Sequence, residues 1–112
     1  MKRLGTLRDS NNDIMQGRGY SDFIYNIVLV ANTEQTINIP TAASFVIPSC
    51  TGIVYVKIDG TVTVPSGNIV DGTAGEINPE LLKIYGASTI HLIAPVACVC
   101  SLSWYADKVG GE

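Results

Sequence analysis

The chain has 112 residues, with ten acidic side chains against seven basic ones and a net charge of −3. That length holds one domain with a single core, and the acidic balance excludes a general nucleic-acid binder, which needs a basic face. Charged residues are 15% of the chain, against about 25% in an average domain. The surface must therefore be Thr, Ser, Asn and Gly, or be covered in part by another subunit.

Residues 1–20 show no steady period and read as an extended arm. Lys2, Arg3, Arg8 and Arg18 outnumber Asp9 and Asp13 there, so the arm is basic while the remainder is acidic. On charge alone these four cations are the candidate partner-binding residues, ordering on contact with an acidic surface. The opening lacks the continuous apolar stretch of a signal peptide. No apolar run approaches the roughly 20 residues that span a membrane.

The domain proper is expected over 21–107, with 108–112 as a tail. "DFIYNIVLVAN" is a strong strand, apolar on both faces, so its second face is either in the core or in a subunit contact. Gln35 to Ile39 alternates and ends at Pro40. "ASFVIPSC" is a short run that Pro48 should stop. "IVYVKIDGTVTV" reads as a hairpin whose arms, Ile53–Ile58 and Thr61–Val64, flank an Asp59-Gly60 turn. In its first arm Val54, Val56 and Ile58 face one way, and Ile53, Tyr55 and Lys57 the other. "PSGNIVDGTAGEINP" is a turn-rich loop. "NPELLKIYG" has a capping Asn78, a Pro79 suited to a first helical position and a closing Gly86, or else a short strand; a single helical turn or irregular structure is expected. Thr89–Ile93 and the alternating "VACVCSLSWYAD" supply the last strands. Short strands without a long helical period give an all-β antiparallel sandwich or jelly-roll-like barrel.

Catalytic chemistry is sparse. His91 is the sole histidine, and a hydrolase would require a Ser or Cys nucleophile and an orienting carboxylate beside it. There is no G-x-S-x-G elbow. Cys98 and Cys100 share a strand face, are poorly placed to bond each other, and read as small buried hydrophobes. With Cys50 they make an odd number, which fits a chain made in the cytoplasm. Their spacing and the single histidine do not make a zinc site. Asp71 and Glu76 match no calcium loop and read as turn formers. Tyr20, Phe23, Tyr25, Tyr55, Tyr85, Trp104 and Tyr105 would suit a sugar-binding face, or core and interface packing. The expectation is a protein without enzymatic activity, cofactor or metal.

The order of motifs from Ile53 to Asp107, "IVYVKIDGTVTVPSG", then "DGTAGEINPELLKIYG", then "STIHLIAPVACVCSLSWYAD", resembles small β-sandwich structural proteins of tailed bacteriophages. That resemblance implies a virion component made in the host cytoplasm, of the head decoration (cement) type. It further implies a homotrimer that staples the major capsid protein or another virion protein, with an arm reaching across the joint. The competing expectation is a carbohydrate- or receptor-binding module of a fibre or tail.

Overall fold

The computed structural model describes Met1, the backbone of residues 7–8 and 14–15, and residues 20–106. The arm over 1–20 and the tail over 108–112 therefore lie almost wholly outside the described residues. Ten strands follow in order: β1 (Leu7–Arg8), β2 (Ile14–Met15), β3 (Ile24–Leu29), β4 (Gln35–Asn38), β5 (Phe45–Cys50), β6 (Tyr55–Ile58), β7 (Glu76–Ile77), β8 (Leu82–Lys83), β9 (Thr89–Ile93) and β10 (Cys98–Tyr105). Among the described residues β1 and β2 pair only with each other. The rest form two antiparallel four-stranded sheets, β3-β10-β5-β8 and β4-β9-β6-β7. Together they make the all-β sandwich expected from the pattern of short strands.

Side chains alternate across each strand, so one set from each sheet meets in the middle. Leu29, Val46, Cys100, Leu102 and Trp104 come from the first sheet, and Val56, Ile90 and Leu92 from the second, with Val54 just before β6. All are essentially buried. Val54, Val56 and Ile58, expected on one shared face, all turn to the core, with Ile58 half-buried against it. β10 runs between β3 and β5, opposite Tyr25 at Leu102 on one side and Pro48 on the other.

Four expectations need correction. The Asp59-Gly60 hairpin does not form: β6 has β9 and β7 as its neighbours, which leaves no place for Thr61–Val64. Asp59 is left-handed (φ 54°) but Gly60 is not among the positive-φ glycines, so the two-residue turn with both positions at positive φ is absent. The Asp59 carboxylate instead caps the start of β9, accepting the N–H groups of Ser88 and Thr89. Pro48 does not stop β5. β8 covers only Phe45 and Val46, so beyond them β5 is an edge, where a residue without N–H is tolerated. "NPELLKIYG" makes no helical turn: Asn78 (φ 42°) exchanges bonds with Val54 through its N–H and its side-chain Oδ1, and Leu82–Lys83 is strand β8.

The fourth correction concerns sulfur. Cys100 is not a lone buried thiol but is disulfide-bonded to Cys50. The two stand directly opposite each other on β5 and β10, with Cα atoms 4.0 Å apart. Cys98, two residues before Cys100, remains a free, half-exposed thiol. Its strand parity with Cys100 was readable; the partner across the sheet was not.

Trp104 is fully buried, and its ring meets Tyr25 edge-on at 5.4 Å, with Phe23 a further 5.6 Å along. Its indole N–H is buried without a hydrogen-bond partner among the described residues, an orphan that costs about 1–3 kcal/mol. Trp104→Ala should lose about 3–5 kcal/mol by chemical denaturation. Trp104→Phe should lose clearly less, because removing the orphan donor offsets part of the lost packing; equal losses would contradict this account. The double variant Cys50→Ala/Cys100→Ala should lose about 2–5 kcal/mol. Alkylation of the unreduced, unfolded protein should label Cys98 alone.

Candidate functional site

Two places on the surface stand out, one polar and one apolar. The polar one is the outer face of the second sheet. Register places Thr36, His91 and Lys57 in one row across β4, β9 and β6, and alternation turns them away from the core. His91 Nδ1 lies 3.2 Å from Glu34 Oε2, and Nε2 lies 3.0 Å from Thr89 Oγ1. Thr36 Oγ1 is 3.3 Å from Nδ1. Sequence reasoning singled out His91 but not Glu34, 57 residues away, nor Thr89. Only the β4–β9 register brings Glu34 near.

A hydroxyl, an imidazole and a carboxylate in a line have the connectivity of a nucleophile, base and orienting acid. The groups around them are already hydrogen-bonded. Acyl transfer needs N–H donors aimed at the developing oxyanion, and the N–H groups of Ser88 and Thr89 itself already donate to Asp59 Oδ1 at 2.9 and 2.8 Å. Thr89 Oγ1 is itself 3.3 Å from that same oxygen. Glu34 Oε2 also accepts the N–H of Val62 at 2.8 Å, so one carboxylate oxygen joins the residue before β4, the β9 histidine and the irregular segment after β6. Val62 is buried beneath that bond. A shallow groove of about 210 Å³ is lined by Tyr55, Pro65, Ile69 and Ile77 among others, and includes none of the three aligned residues.

The apolar place is the outer face of β3 and β10. Ile24, Val28 and Val30 are more than half exposed, and Val99, opposite Val28 on β10, is 40% exposed. This answers the question raised by a strand apolar on both sides: one face is core, and the other is bare along much of its length.

The remaining candidates are dispersed. Lys2, Arg3 and Arg18 lie outside the described residues, and of Arg8 only the backbone is described, opposite Ile14. Asp71 closes its own turn by accepting the hydroxyl and N–H of Thr73, and those two bonds hold its carboxyl below the ordinary range. Lys57 Nζ fixes the same turn through the Thr73 carbonyl. Glu76 is in β7, opposite Val56. Of the aromatic residues, Trp104 and Tyr105 are fully buried while Tyr20 and Tyr85 are well exposed.

The Asp59 carboxyl is also held below the usual aspartate range, first by the Thr89 N–H and then by the Ser88 N–H. A depressed folded-state pKa means stability that is present above the unfolded value, about 3.9, and is lost as pH falls through the folded one. Asp59→Asn keeps an acceptor and tolerates the left-handed backbone. It should flatten the fall in thermal midpoint below about pH 4 while leaving the fold intact at neutral pH. An unchanged acid profile would show that the cap contributes nothing. The chain matches no protein-family model, no curated protein and no solved structure.

Proposed function

We propose that this chain is a non-enzymatic structural protein of a tailed-phage virion, of the decoration or cement type, which self-associates and holds capsid subunits through its N-terminal segment. The observation that supports this reading is the pairing of low charge with a bare apolar face. Ile24, Val28, Val30 and Val99 lie exposed together, whereas the groups able to do chemistry, Glu34, Asp59, Thr89 and His91, are committed to one another and to the backbone. A surface of this kind binds by burial and not by reaction. Attachment to an assembled shell stabilises that shell by mass action, and linked copies multiply weak contacts. The cations Lys2, Arg3, Arg8 and Arg18 would add salt-sensitive attraction to an acidic capsid surface. A glycan-binding module of a fibre or tail is the competing reading, but Trp104 and Tyr105 are not available to it.

Deletion of residues 1–19 should leave a folded protein that no longer co-sediments with purified capsids. Binding of the full chain should weaken as salt rises. Full retention by the truncated protein would remove the arm from the mechanism.

A further inference from the structure

The bare face of the first sheet ends in an edge, and the four outermost strands of the sandwich differ in how they treat theirs. An unpaired strand edge offers its N–H and C=O groups to any other chain, and proteins usually blunt it with shortness, charge or proline. β7 and β8 are two residues each, and each carries a charge, Glu76 and Lys83. β4 is four residues with Thr36 and Asn38 exposed; Glu34 precedes it and Pro40 follows. β3 has none of these devices within its length, and the one charge near its start, Asp22, is ion-paired with the Met1 amine. It is six residues long, and from Phe23 to Asn32 the sequence holds no charged residue and no proline. Among the described residues its only neighbour is β10.

Hydrogen bonding tells which groups of β3 are open. The Trp104 N–H donates to the Phe23 carbonyl, so Phe23 and the alternate residues Tyr25, Ile27 and Leu29 turn their backbone groups toward β10. Ile24, Asn26 and Val28 therefore direct theirs outward, to the open edge. The same three have their side chains on the exposed face. Their order is symmetric: an aliphatic residue stands two places either side of Asn26.

We propose that β3 pairs antiparallel with β3 of a second copy about a two-fold axis through Asn26. The two four-stranded sheets then join into one continuous sheet. The Asn26 residues of the two copies face each other and exchange backbone bonds, and Ile24 of each lies opposite Val28 of the other. A two-fold contact requires that one patch complement itself, and the arrangement about Asn26 does so both in backbone groups and in side chains. Charge allows the same contact, because a chain of net charge −3 meets its copy here across neutral residues only. Val30 and Val99 extend the apolar surface to either side. The contact is small beside the roughly 1,200 Å² at the lower bound of stable interfaces, so the dimer should depend on concentration. The inference rests on the self-association in the proposed function and names its contact, a two-fold one in place of the homotrimer that the resemblance implies.

The test is sedimentation equilibrium of the full chain from micromolar to millimolar concentration. The expected result is a mass rising from 11.9 kDa to twice that value. Val28→Lys places the usual edge guard at a position 69% exposed; it should shift the dimer constant at least tenfold toward monomer and leave the thermal midpoint of the monomer unchanged. Thr36→Lys, on the guarded edge of β4, should leave dimerisation as it was. Asn26→Cys should give a disulfide-linked dimer on mild oxidation, through residue 26 of both copies by peptide mapping. A monomer at every concentration overturns the pairing. If Val28→Lys then also unfolds that monomer more readily, the edge belongs to the chain's own N-terminal segment. A trimer overturns the two-fold contact while leaving self-association standing, as does a dimer indifferent to Val28→Lys. Capsid co-sedimentation separates the two ideas, since an unmutated chain that is monomeric at every concentration yet still binds capsids sinks this contact without touching the capsid attachment.

Discussion

The structure depends on the double pairing of β10. It is the longest strand, hydrogen-bonded along most of its length to β3 on one side and to β5 on the other. Its inward residues Cys100, Leu102 and Trp104 form the middle of the core. Each inward residue gains twice from this position, because backbone bonds are satisfied laterally while the side chain is buried against the opposite sheet. The disulfide to Cys50 adds a covalent tie between the same two strands. The second sheet has a counterpart in β9, held between β4 and β6, but there the tying groups are polar and lie outside. Glu34, His91, Thr89 and Asp59 secure the irregular segment after β6 to β9 and to the residue before β4.

Much of the sandwich was legible because alternation is a local signal. Thr89–Ile93 was read with its observed bounds, and in β10 the set Cys98, Cys100, Leu102, Trp104 was separated from its neighbours. The misreadings share one cause: they concern which strand lies beside which. Asp59-Gly60 has the composition of a hairpin turn, yet the same carboxylate can cap another strand, and only the arrival of β9 beside β6 decides between them. Pro48 breaks a strand that has partners on both sides, but the sequence does not say that β8 ends after covering Val46. Cys50 and Cys100 are 50 residues apart, and a slip of one place between β5 and β10 would have pointed them to opposite faces.

The candidate site was less legible than the fold. His91 was noted for its chemistry, but Glu34 entered no motif, and its role needed a register that the sequence does not contain. The exposed face of β3 was half visible. Apolar residues on both sides of Asp22–Asn32 required a second cover, while the composition could not say whether that cover was more core or another molecule. The difference between β3 and the guarded strands β4, β7 and β8 is a property of edges, and edges exist only once strand order is known.

The place of β10 in the chain has a consequence for synthesis. It is the last strand of the sandwich to leave the ribosome, and both of its neighbours are made far earlier. β3 and β5 must wait with their inward residues uncovered, and the contact that closes them spans the greatest length of chain. Loop closure over such a length is slow to repay its entropy. Until β10 emerges, both sides of β3 are open together, so the nascent chain passes through its most adhesive moment just before it completes its core.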